Sequence, residues 1–173
     1  MSLWIRMLAG WYDHAIEEFD RLIRSCPDEL WLQNVWEVKP TDRVVLRNSN
    51  LRGGSNDQQP IQFRGACWFV AYHTVLALDD YLSPTAMSEP PKNFEWLHGT
   101  DAWAHTPLTK EEVLEYLATC RTKAHDTFAS LTDEAAARTR TDEPFASALV
   151  RGLMHLREHT GQLGLFIGLE ATG

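Results

Sequence analysis

The residues of this 173-residue chain best suited to chemistry are its seven histidines. Two of them stand four apart in the run His155-Leu156-Arg157-Glu158-His159. Residues four apart on a helix share one face about one turn from each other, so both imidazoles can reach a single metal ion. The same spacing also suits two histidines hydrogen-bonded at a seam between helices. A third histidine narrows the choice. His73 lies within Trp68-Phe69-Val70-Ala71-Tyr72-His73-Thr74-Val75-Leu76, where almost no other side chain is polar. An imidazole buried there without a partner costs about 1–3 kcal/mol, so it must meet another polar group or a metal. A backbone carbonyl or a tyrosine would satisfy the same demand. One inward histidine on one helix and an i, i+4 pair on another supply three neutral nitrogens. Three protein ligands leave at least one coordination position open, the arrangement of catalytic rather than structural zinc sites.

The neighbours of these histidines add candidates. Steps of three and four along the His155 face give Ala148, Gly152, Gln162, Leu163 and Phe166. Glycine inside a helix costs about 1 kcal/mol against alanine, so Gly152 leaves room either for a cavity or for a closely packed helix. Gln162, three residues past His159, can orient a ligand or a metal-bound water. Glu158 and Asp80 are candidate outer-sphere acceptors or general bases, against the plainer role of solvated surface carboxylates. His14, His98, His105 and His125 read as surface residues, with outer-sphere or pocket-mouth roles open to the first three. Cys26, Cys67 and Cys120 are odd in number, far apart in sequence and form no CxxC, as expected of reduced thiols in a cytoplasmic protein. Cys67 should point away from His73 and is not read as a nucleophile. The sequence holds neither a glycine-rich phosphate loop nor a GxSxG step.

Four helices must position these groups. Apolar spacing at Trp4, Met7, Leu8, Trp11, Ala15, Phe19, Leu22 and Ile23 predicts an amphipathic helix over about 3–26, stopped by Pro27. A second helix between Pro60 and Pro84 is apolar nearly all round and should be the most buried. The stretch Leu108-Thr109-Lys110-Glu111-Glu112-Val113 carries a capping box and the flanks of a hydrophobic staple, so a third helix starts there. After a polar joint from Thr132 to Thr141, Asp142-Glu143-Pro144 suits the first turn of a fourth helix reaching about Leu169. The fold class expected is all-α, a four-helix bundle in a single domain over residues 1–173. Long loops separate helices one and two and helices two and three. The first loop could hold a short strand at Arg43–Arg47; the second, Ser83 to Pro107, should pack Phe94, Trp96 and Trp103 over the bundle. Both loops are long enough to cross the bundle, so sequential helices need not be neighbours.

Composition excludes several function classes. With 16 basic and 24 acidic residues the formal charge is −8, the wrong sign for a nucleic-acid binder. No apolar run reaches the 18 residues of a membrane span, and no basic and apolar leader pattern opens the chain.

The aromatic-rich helix with Ala71-Tyr72-His73-Thr74, the Leu108–Leu117 helix opening, and His155-Leu156-Arg157-Glu158-His159-Thr160-Gly161-Gln162-Leu163 resemble the DinB-like (YfiT-like) metalloenzyme family. Its pattern has one metal histidine on helix two and an H-x3-H pair on helix four, followed by a Gly-Gln or Ala-Gln step. These positions carry over onto His73, His155 and His159, with Gly161 and Gln162 behind them. The resemblance implies a four-helix bundle, often a homodimer, that holds a divalent metal ion such as zinc or nickel. It further implies transfer of a low-molecular-weight thiol, such as bacillithiol or mycothiol, to a small electrophilic substrate. Metal-dependent hydrolysis is the second reading, and a non-catalytic metal-stabilised stress or binding protein the third. A stripe of Trp4, Met7, Leu8 and Trp11 at the start of helix one offers a surface for such a homodimer.

Overall fold

A computed structural model describes residues 2–36, 65–87 and 107–170. The proposed strand at Arg43–Arg47 and the aromatics Phe94, Trp96 and Trp103, with His98 and His105, lie outside the described residues.

Six helices and one small hairpin are described, four of the helices long. Helix α1 spans Leu3–Ser25, and the single turn α2 spans Asp28–Trp31. Helix α3 is Cys67–Tyr81, α4 is Lys110–Ser130 and the short α5 is Asp133–Ala137. Strands β1, Thr139–Arg140, and β2, Glu143–Pro144, pair antiparallel ahead of α6, Phe145–Glu170. The all-α expectation holds.

Each long helix begins or buries itself for a local reason. The Thr109 hydroxyl accepts from the Glu112 amide at 3.2 Å while the Glu112 carboxylate accepts from the Thr109 amide at 2.7 Å, closing the expected capping box on α4. Leu108 and Val113 both pack against the core beside it. Helix α3 is buried almost all round, with Trp68, Val70, Ala71, Tyr72, Val75, Leu76 and Leu78 in the core. Helix α1 buries Ile5, Leu8, Tyr12, Ala15, Ile16, Phe19 and Ile23. That stripe is rotated from the one the tryptophans suggested. Trp4, Met7 and Trp11 stay exposed at 38%, 47% and 57%, because Ile5 and Tyr12 take the interior places.

Helix α1 packs on α4 and α6, and α3 packs on α6 and α4. Consecutive long helices α1 and α3 therefore sit on a diagonal, as the long first loop allowed. Helices α3 and α4 are neighbours, whereas the short joint before α6 makes the second crossing. That joint corrects the sequence reading. Asp142-Glu143-Pro144 do not open α6: Arg140 pairs with Glu143 and Thr139 with Pro144 around a turn at Thr141, whose φ is 61°. A β-branched residue with positive φ is strained, and the surroundings must hold it there. Arg140 supplies the anchor. Only 5% exposed, it donates from Nε to the Ser83 carbonyl at 2.9 Å and from Nη2 to the Asp80 carbonyl at 2.8 Å. It thus places a cation on the carbonyl end of α3, where the helix dipole favours one.

Candidate metal centre

The seam between α3 and α6 carries the three histidines. His73 comes from the middle of α3, and His155 and His159 come from successive turns of α6. Their ligand atoms lie within 4.8 Å of one another. His155 Nε2 is 3.2 Å from His73 Nε2 and 3.2 Å from His159 Nε2. An imidazole nitrogen has one in-plane site, either an N–H or a lone pair, so the two approaches share at most one bifurcated hydrogen bond. A single cation would engage all three lone pairs at once. Two nitrogens each about 2.0–2.1 Å from one zinc at the tetrahedral angle are about 3.3–3.4 Å apart. The donor set fits a divalent ion of that class.

The surroundings fix the rings. His159 Nδ1 lies 2.7 Å from Gln162 Oε1, so the proton sits on Nδ1 and the Nε2 lone pair faces the other two histidines. The amide Nε2 of Gln162 in turn donates to Glu158 Oε1 at 3.4 Å, which sets the amide's orientation. Burial holds the His159 pKa below the usual histidine value, against the opposing pull of the Gln162 hydrogen bond and the Glu158 charge. A neutral imidazole is the form that ligates a metal. Phe69 stacks parallel to the His73 ring with centroids 6.5 Å apart, and the Tyr81 ring lies 6.1 Å from that of His155. The sequence reading missed both aromatics, although Phe69 stands one turn before His73 on the same helix face.

Gly152 belongs to packing. A Cβ at this position would stand 2.6 Å from Tyr12 Oη and 2.7 Å from Tyr81 Cβ, so it sits where α1, α3 and α6 converge. The cavity reading for it is set aside. Tyr12, fully buried, donates its hydroxyl to the Leu149 carbonyl at 2.6 Å.

The remaining candidates lie as follows. Glu158 is exposed and is hydrogen-bonded to the cluster's Gln162. Asp80 spends its carboxylate on the Met87 amide at 2.8 Å and on Arg140 at 2.7 Å, and so belongs with the hairpin anchor. His14 is exposed, and His125 faces Asp13 at 3.2 Å on the surface between α1 and α4. The neighbouring Asp79, which sequence patterning did not single out, is buried and takes hydrogen bonds from Tyr116 at 2.7 Å and from Lys123. This network ties α3 to α4.

No helix among the described residues is long and apolar enough to cross a membrane. Comparison with curated proteins and with solved structures finds no match. The model of one family, described as the DinB superfamily, matches residues 11–163, a span that includes all three clustered histidines. That match covers most of the chain, and the chain belongs to the DinB superfamily.

Proposed function

We propose that this protein is a metal-dependent enzyme in which His73, His155 and His159 hold one divalent ion, zinc or nickel. The carrying observation is the approach of two Nε2 atoms to His155 Nε2 at 3.2 Å each, a convergence that ligation to one ion satisfies more fully than a single bifurcated hydrogen bond. Three ligands leave a position free for a small molecule. When bound, such an ion acts as a Lewis acid that lowers the pKa of a thiol or water brought to it. The chain's own part is orientation and proton control. Gln162 holds His159 in the tautomer that presents Nε2, with Glu158 behind it. Phe69 and Tyr81 flank the rings of His73 and His155 with apolar surface. Asp80 serves the fold through Arg140.

Within this reading the reaction is transfer of a low-molecular-weight thiol to a small electrophile, the chemistry implied by the family resemblance. A panel of such thiols, offered with an epoxide and an activated aryl halide to metal-loaded protein, tests it. Metal-dependent thioether formation that disappears in the His155→Ala variant is the expected result. Electrophile loss that proceeds without any thiol would assign hydrolysis instead, and full metal occupancy with no turnover would assign a non-catalytic role.

The same proposal includes a homodimer in the cytoplasm. Exposed Leu3, Trp4, Met7 and Trp11 on α1 give the dimer a surface, and three free cysteines suit a reducing compartment. Sedimentation equilibrium should give twice the 19.7 kDa chain mass, falling to the chain mass in Trp11→Glu; a single-chain mass in the unaltered protein would overturn the dimer.

A further inference from the structure

Far apart in sequence, Cys26 and Cys67 meet in space. Their sulfurs lie 3.7 Å apart, both buried, at 2% and 1% exposure. Cys26 ends α1, its amide bonded to the carbonyls of Leu22 and Ile23, and Cys67 opens α3. The position of Cys67 is pinned independently. Its amide donates to the Gln33 carbonyl at 2.9 Å, the Val35 amide donates to the Gly65 carbonyl at 2.7 Å, and Asn34 bridges Ala66. The two thiols therefore face each other from anchored backbones, and neither takes part in the histidine cluster.

A disulfide needs its sulfurs about 2.05 Å apart, so the pair must close by roughly 1.7 Å. The two thiols are also unequal. The hydrogen bond between the two sulfurs holds the Cys26 pKa below the usual cysteine value against the opposing effect of burial, with the Lys110 ammonium adding to the lowering; the same bond and burial push Cys67 up. Lys110 is held beside the pair by hydrogen bonds to the Cys26 carbonyl and the Asp28 carboxylate. The placement of this ammonium at the Cys26 end marks Cys26 as the sulfur that attacks and Cys67 as the one that resolves it.

We infer that Cys26 and Cys67 form a redox-active dithiol that a small peroxide converts to an intramolecular disulfide. The Cys26 thiolate attacks one peroxide oxygen, the O–O bond breaks, and the leaving oxygen departs as water or alcohol after taking a proton. Cys26 is then a sulfenic acid. The Cys67 sulfur attacks the Cys26 sulfur, the S–O bond breaks, and hydroxide leaves with the Cys67 proton as a second water. Two electrons pass from the sulfurs to the peroxide, and one S–S bond joins the end of α1 to the start of α3. Reduction by a dithiol reverses it.

The test uses the full chain with a few equivalents of hydrogen peroxide, followed by alkylation in denaturant and mass spectrometry. The expected product has lost two hydrogens, keeps one alkylatable thiol, yields a Cys26–Cys67 linked peptide, and returns to three thiols with dithiothreitol. The Cys120→Ala variant should form the same link, whereas Cys26→Ser and Cys67→Ser should not. Three surviving thiols, a gain of oxygen at Cys26 that stays unlinked, or a link that involves Cys120 would each overturn the inference. The reading of the histidine cluster is untouched by any of these results.

Discussion

Gly152 offers a sharp check on how the helices bearing the histidines are held together. Replacing it with alanine places a methyl group 2.6 Å from Tyr12 Oη and 2.7 Å from Tyr81 Cβ. Ordinary carbon contacts need about 3.5–4.0 Å, so neighbours must yield by roughly 1 Å. Neither can do so cheaply. Tyr12 is fully buried and tied to the Leu149 carbonyl, and the Cβ of Tyr81 moves only with the backbone of α3. Overpacking of this kind costs about 1–3 kcal/mol, and straining the Tyr12 hydrogen bond adds about 1 kcal/mol. The better helix propensity of alanine returns about 1 kcal/mol. The expected net loss is about 1–3 kcal/mol, a fall in Tm of roughly 2–12 °C for a domain of this size. Because the strain drives α3 from α6, the His73 to His155 spacing should widen and metal affinity should drop on the order of tenfold. Calorimetry of the metal-free variant and zinc titration of the same sample measure both effects. A variant as stable as the parent, or more so, would refute the close-packing account of this glycine.

Other outcomes follow from the ring environment. Gln162→Ala should lower metal affinity by about 10–100-fold while leaving the Tm of the metal-free protein nearly unchanged, since the side chain acts by orienting His159; an unaltered zinc isotherm would contradict that role. Glu158→Ala, one step further out and exposed, should cost much less, as the same titration would reveal. The pKa of His159 is held down chiefly by burial, so protonation is easier in the unfolded chain, where it occurs near pH 6.5. Below that value the unfolded state carries the extra proton, and the metal-free protein loses stability as pH falls toward the lower folded-state pKa. Urea midpoints at pH 7 and pH 5.5 should diverge more in the parent than in His159→Gln; equal slopes would deny burial this effect.

Local patterns exposed much of this architecture in advance. The H-x3-H pair declared one helix face, and a histidine inside an apolar run declared its need for a partner. The capping box at Thr109 and Glu112 fixed the start of α4, because every group involved lies within four residues. Contacts between distant segments left no such trace. Nothing local to Cys26 points to Cys67, and nothing around Arg140 announces that it reaches back to the end of α3. The exposed tryptophans of α1 misled for a related reason. Hydrophobic spacing allowed two adjacent stripes, and only the packing of Ile5 and Tyr12 against the other helices selects between them. Glu143-Pro144 looked like a helix start because acid and proline are favoured there, yet pairing with Thr139-Arg140 wins once Arg140 is anchored on Asp80 and Ser83. Gly152 was equally open from sequence, since a cavity and a close contact both call for a missing side chain.

The central claim is that three histidines from two helices share one ion, and metal content measures it most directly. Protein purified without a histidine tag, loaded with zinc or nickel and dialysed, should retain one equivalent per chain. His73→Ala, His155→Ala and His159→Ala should each retain less than about a tenth of that, because two imidazoles hold such an ion far more weakly than three. Their helical circular dichroism should match the parent, since the core is built from apolar residues that the ion does not touch. Full occupancy in any one folded variant, or no retained metal in the parent, would contradict the account.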